Sequence, residues 1–179
     1  MKKLFFVPAF LLAVGITSCG NNAENNDANT STESQATTEE TTVDVETVPG
    51  IEDVTLSNTW VVEGNDQMQF DVNLIRVKAG EPVEITLKNV GSMPIESMGH
   101  NLVILTPGTD IATFGGEATA AADNEYIPKS ALSSIVEHTK LLGPGEEDKI
   151  TVTLDKGVYP YLCSFPGHFG IMQGKIVAE

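Results

Sequence analysis

From Val54 to the C-terminus, apolar side chains come in short runs broken by polar residues. Val72, Leu74 and the Ile75–Val77 stretch, then Val83, Ile85 and Leu87, recur largely at period two, which places them on one face of half-buried strands. Leu102–Leu105, Ile150–Leu154, Val158–Leu162 and Lys175–Val177 continue the series, with Ala79-Gly80, Gly143-Pro144-Gly145 and Lys156-Gly157 as turns between them. The rhythm fails only between about Ile111 and Val136, where Ala, Ser and several helix formers predict a short helical insertion between strands. Seven or eight strands at this spacing predict an all-β fold, a Greek-key β-sandwich closed at one end by loops able to carry a site.

Upstream the pattern is different in kind. Lys2 and Lys3 precede an apolar run, Leu4–Ile16, that is too short to span a bilayer and has the layout of an export signal. The run closes on Ile16, Thr17, Ser18 and Cys19, which resembles a bacterial lipobox. Residues 1–18 are therefore expected to be removed, leaving Cys19 as the lipid-bearing first residue of an exported protein. Lipid on Cys19 would hold it on the periplasmic or cell-surface side of a bacterial membrane. Residues 20–53 carry nine acidic side chains, no Lys, no Arg and no aromatic residue. Such a composition cannot bury enough apolar area to offset the entropy of ordering, so 19–53 reads as a lipidated, acidic tether and 54–179 as the folded domain.

Charge narrows the functions open to that domain. The 179 residues hold 25 acidic and 10 basic side chains, a formal charge of −15. A surface so poor in cations has little with which to release counterions from a phosphate backbone, so nucleic acid is excluded as a partner. The length excludes a large multidomain enzyme. Two cysteines, Cys19 and Cys163, are too few for a disulfide scaffold, and the second needs a reason of its own.

That reason lies in its neighbours. The run Cys163-Ser164-Phe165-Pro166-Gly167-His168-Phe169-Gly170-Ile171-Met172 follows one strand and precedes the last one. A Pro-Gly turn returns His168, and then Met172, toward the thiol. His100, after Met98-Gly99, opens an apolar strand upstream. Two imidazoles, a thiolate and a thioether form the soft ligand set that selects copper, whereas zinc has little use for the thioether. His138 sits among Glu137, Thr139 and Lys140 with no Cys or Met at ligand spacing, and reads as a surface or supporting histidine.

Four segments now carry a resemblance. Gly64-Asn65-Asp66-Gln67-Met68-Gln69-Phe70, Met98-Gly99-His100-Asn101, His138-Thr139-Lys140-Leu141-Leu142-Gly143 and Cys163–His168 with Met172 resemble the azurins, blue-copper proteins of the cupredoxin family, over roughly residues 54–179. The resemblance implies a cupredoxin-like sandwich holding one copper ion, Cu(I)/Cu(II), in a type 1 site. It makes His100, Cys163 and His168 the equatorial ligands, Met172 an axial one and the Gly99 carbonyl the distant opposite one. It also implies that Asn101 supports the thiolate through its backbone and ties the ligand loops together beside Ser164, next to Phe165. Two departures stand out: the disulfide usual in azurins has Asn58 and Gly80 at its approximate positions, and the buried tryptophan expected two residues after His100 is Leu102.

With every strong coordination position filled by protein, no site is left for substrate, which argues against an enzyme. One-electron transfer is the expected function. Met68, Met93, Met98, Pro166, Phe169, Gly170 and Ile171 are expected to form an apolar docking face around the His168 edge, for redox proteins such as c-type cytochromes or copper-containing oxidoreductases. Two alternatives remain at this level: a copper carrier that hands over the ion itself, and an adhesion sandwich with vestigial ligands.

Overall fold

The computed structural model describes residues 48–179. The export signal, Cys19 and the tether up to residue 47 lie outside the described residues. Among the described residues, nine strands form two layers: β1 (Thr59–Asn65), β2 (Gln69–Phe70), β3 (Leu74–Val77), β4 (Pro82–Asn89), β5 (Val103–Leu105), β6 (Ile135–His138), β7 (Glu147–Thr153), β8 (Gly157–Leu162) and β9 (Gln173–Ala178). One sheet runs β2-β1-β4-β7 and the other β3-β9-β8-β5-β6. β1–β4 and β3–β9 pair in parallel, and the other pairs are antiparallel.

The alternation seen in the sequence is what joins the layers. In β4, Val83, Ile85 and Leu87 point inward and are fully buried, meeting Ile75, Val77, Ile104, Tyr161 and Ile176 from the facing sheet. Each such side chain contributes roughly 1.5–3 kcal/mol by leaving water. β5 is apolar on both faces for a reason. Leu102 and Ile104 enter this main core, while Val103 and Leu105 face a second cluster with Phe114, Ala118, Ile127 and Leu162. Leu102 takes the position where the resemblance led us to expect a tryptophan, and it is completely buried.

That second cluster lies beneath the insertion, which is more broken than the sequence predicts. It contains α2 (Ile111–Ala118), two 3₁₀ segments (Ala122–Asn124 and Lys129–Ser134), and then β6 from Ile135, so Ile135 and Val136 belong to a strand. Asp110 caps α2 by accepting from the Thr113 amide at 2.8 Å and the Thr113 hydroxyl at 2.7 Å. A four-residue helix, α1 (Ile95–Met98), precedes the first histidine of the site. The all-β sandwich is as expected, with more strands than the seven or eight anticipated. β2 has two residues and β6 is half-buried throughout, so neither prints a clear alternation.

One boundary needs correction. Val48 and Ile51, placed in the tether by composition, are buried against Val177 together with Val54, Leu74 and Val158, with a 3₁₀ turn at Ile51–Asp53. The packed body therefore starts before Val54. Two apolar residues three apart suffice to cap the outer face of β3-β9-β8, and they are diluted in any composition window dominated by Glu and Thr.

The strand directions decide where a site can form. β1 and β4 run the same way, and β9 begins where β8 ends, so Asn65, Leu162 and Gln173 lie toward one end of the sandwich. Asn58, Pro82 and Leu154 lie toward the other.

Candidate metal centre

The 163–172 loop is wound by its own backbone. Cys163 N donates to the Met172 carbonyl at 2.9 Å, His168 N to Phe165 O at 3.0 Å, and Met172 N to His168 O at 2.8 Å. Gly167 supplies the left-handed residue the turn requires, with φ of 84°. Cys163, His168 and Met172 thus return to one point. His100 is brought there by a two-residue bridge, its N–H and carbonyl bonded to Leu142 at 3.1 and 2.8 Å.

Three donor atoms converge. Cys163 Sγ lies 3.5 Å from His168 Nδ1 and 3.9 Å from His100 Nδ1, and also 3.9 Å from the Gly99 carbonyl oxygen. His100, Cys163 and His168 form a cluster whose ligand atoms lie within 4.8 Å of one another. A nitrogen and a thiolate held at about 2.0 and 2.3 Å from one ion, at angles between tetrahedral and trigonal, would stand about 3.5–3.7 Å apart. The observed separations bracket that span, so the site fits a single first-row metal ion. His100, Cys163 and Met172 are fully buried, and His168 is 2% exposed. Met172 packs with Cys163 and Phe165, beside this cluster.

The surroundings fix which atoms are free to bind. His100 Nε2 donates to the Asn65 carbonyl at 3.0 Å, which leaves the Nδ1 lone pair facing the thiol. Gly64 makes room for this: a Cβ there would stand 2.8 Å from Met172 Cε and 3.1 Å from His100 Cδ2. A glycine inside a strand is the sequence signal for such a close approach. Asp66, on the same turn, accepts from the Ser92 amide and hydroxyl, each at 2.9 Å, and locks this turn to the loop before α1. Those hydrogen bonds hold its carboxyl below the usual range. The functions of Gly64, Asn65 and Asp66 were not read from the sequence.

Asn101 ties the two ligand segments together. Its Oδ1 accepts from the Ser164 amide at 2.8 Å, and its Nδ2 donates to Ser164 Oγ at 2.8 Å and to the Glu125 carbonyl at 3.2 Å. Burial pushes the Cys163 thiol up to about 12, against the pull of backbone hydrogen bonds from Asn101 and Phe165. Burial, and then the neighbouring His100, push His168 down to about 4. Burial likewise lowers His100, opposed by its bond to Asn65 and by Asp66. At neutral pH both imidazoles therefore offer lone pairs, and metal binding releases the thiol proton.

The remaining sequence candidates divide. Met93 and Ile171 are exposed at 40% and 60%, Gly170 is exposed, and Met68, Met98 and Pro166 are half-buried. Phe165 is buried, and Phe169 turns its ring onto Gly115 of α2. His138 stands apart, its Nδ1 3.0 Å from the Thr139 carbonyl.

Comparison with known proteins agrees with this geometry. Residues 57–179 match the family described as "Copper binding proteins, plastocyanin/azurin family". An azurin of Pseudomonas denitrificans is 37% identical over 123 residues, 66% of this chain and 95% of that protein. Outer membrane protein H.8 of Neisseria gonorrhoeae is 44% identical over 119 residues, 64% of this chain, and the match spans 64% of that relative's length. The solved structure of dithionite-reduced auracyanin from Roseiflexus castenholzii superposes with a TM-score of 0.62 at 29% identity, covering 70% of this chain and 99% of that one. One copper ion is thus the cofactor for which the cluster is built, and the chain belongs to the plastocyanin/azurin family of copper-binding proteins.

Proposed function

We propose that this chain is a membrane-tethered type 1 copper protein that shuttles single electrons between redox proteins outside the cytoplasm. His100 Nδ1, Cys163 Sγ and His168 Nδ1, with the Met172 thioether and the Gly99 carbonyl beside them, would hold one copper ion. The observation that carries the reading is the closure of the site: all four side chains are buried, and the donors come from loops fixed by hydrogen bonds. Copper bound there would supply a one-electron couple.

The protein's part is to hold the ligands still and to exclude water. Buried side chains leave no open position for a substrate, so the protein acts as a carrier and not as an enzyme. Burial of the donors, which hinders handing the ion to another protein, also opposes the alternative of a copper donor. The acidic surface tunes encounter with partners, and the apolar rim of Met93, Pro166, Gly170 and Ile171 lets them approach the His168 edge closely. Likeness to an outer membrane protein, together with the lipobox-like Ile16–Cys19, supports an exported chain anchored through lipid on Cys19.

Ile171→Glu tests the docking face, since Ile171 is 60% exposed. Electron exchange with a small cytochrome is expected to slow severalfold under stopped flow, with the visible spectrum unchanged. Wild-type rates would mean that electrons leave by another face. Mass spectrometry of the mature N-terminus is expected to find a lipid adduct on Cys19, and an unmodified N-terminus elsewhere would refute the anchor.

A further inference from the structure

The insertion between β5 and β6 is fastened to the copper loops at two points. At the first, Phe169 lies against Gly115 of α2. A Cβ on Gly115 would stand 2.3, 2.5 and 2.6 Å from three Phe169 ring carbons, while the next residue, Gly116, has open space where its Cβ would go. Only one of two adjacent glycines is therefore required, and it is the one under the ring. Phe169 directly follows His168. Its carbonyl and that of Gly170 both accept from Gln173 Nε2 at 3.1 Å, so the ring is the outer anchor of a short, cross-braced segment.

At the second point, Glu125 and Tyr126 have left-handed backbones, with φ of 52° and 62°. Side-chain-bearing residues rarely hold that conformation unless surrounding contacts impose it. The Glu125 carbonyl accepts from Asn101 Nδ2 at 3.2 Å, and its carboxylate accepts from the Leu141 amide at 3.0 Å. The Tyr126 ring meets Phe165 edge-on with centroids 5.0 Å apart, and Phe165 in turn lies 4.7 Å from the His168 ring.

We propose that the insertion is a splint for the copper loops, in which Phe169 seated on Gly115 is a positioning residue for His168 and Met172, and Glu125-Tyr126 braces Asn101 and Phe165 from the other side. The idea rests on the copper reading only in taking those loops as the ligand loops. Its physical content is that loop rigidity comes from a packed element outside the sandwich, and not from the loop's own hydrogen bonds alone.

Amide hydrogen exchange of the copper-free full chain tests it without reference to metal. Phe169→Ala is expected to speed exchange of residues 164–172 about tenfold while leaving β4 and β7 unchanged, a local opening and not a global loss of stability. Gly115→Val, which displaces the ring from the opposite side, is expected to do the same. Gly116→Ala is the control and is expected to match wild type, and Phe169→Leu to recover most of the protection. In the copper(II)-loaded chain, Phe169→Ala is expected to release copper to a chelator about tenfold faster and to shift its visible absorption band, as loss of a ligand-orienting contact does. Wild-type loop exchange and wild-type release in both Phe169→Ala and Gly115→Val would overturn the proposal. Failure of the chain to bind copper would count against the function and leave the exchange result to decide the splint.

Discussion

The copper end of the sandwich is closed by buried side chains that bond to backbone, whereas the opposite end is closed by a half-buried side chain, Asn58, whose hydrogen bonds are exposed to solvent. At the first, Asn101, Ser164 and His100 have no solvent exposure, and each polar atom has a partner among the described residues. At the second, Asn58 stands where the azurin resemblance led us to expect a disulfide. Its Oδ1 accepts from Lys78 N at 2.8 Å and its Nδ2 donates to Pro82 O at 3.3 Å. Nearby, Gly80, with φ of 73°, donates its amide to Leu154 O at 2.9 Å. A buried hydrogen bond is costly to break because the orphaned group cannot turn to water, while an exposed one exchanges its partner cheaply. The copper end therefore gains a single rigid arrangement, and the far end only needs to stay closed.

Metal removal separates the two ends most strongly. At a thousandfold excess over its dissociation constant, a ligand adds about 4 kcal/mol to the fold, or roughly 15 °C in Tm for a domain of this size. Copper(II) is expected to raise the calorimetric midpoint by at least that much, and Cys163→Ser to erase the difference. An equal rise in the variant would show that copper stabilises from elsewhere.

Acid gives the next largest effect, and only on the copper-free protein. The folded pKa of His168 is lowered from 6.5 to about 4, so between those values the unfolded chain binds the additional proton and stability falls as pH falls. The penalty is absent well above pH 6.5 and complete by about pH 4. Cys163 acts at the opposite limit: its folded pKa of about 12 against 9 makes copper-free stability decline above pH 9. Urea titrations across pH check both, and a flat profile between pH 4 and 6.5 would contradict the burial of His168.

Asn101→Ala is expected to cost about 2–3 kcal/mol in urea unfolding of the copper-free protein, since the buried Ser164 amide and the partly buried Glu125 carbonyl lose partners. Asn58→Ala breaks two solvent-exposed bonds at the other end and is expected to cost about 1 kcal/mol. Equal losses would erase the distinction between the ends.

What the sequence revealed follows the same division. The period-two runs placed the central strands because each inward side chain is fully buried, as Val83, Ile85 and Leu87 are. The donor set was legible because soft ligands at loop spacing have few other uses. Strand β1 was harder to place as a run, with Val61 47% exposed beside fully buried Val62. The supporting atoms were mostly backbone: the Asn65 carbonyl that orients His100, the Glu125 carbonyl that meets Asn101, and the space above Gly64 and Gly115. A carbonyl carries no residue signature, and a glycine says only that something comes close. Val48 and Ile51 were missed because two buried side chains do not alter the composition of an acidic stretch.

The central claim is that His100, Cys163, His168 and Met172 build a closed thiolate site for copper. The visible absorption spectrum of the chain loaded with one equivalent of copper(II) tests it most directly. An intense blue band from charge transfer between the Cys163 thiolate and the metal is expected. A colourless protein holding stoichiometric copper would contradict it.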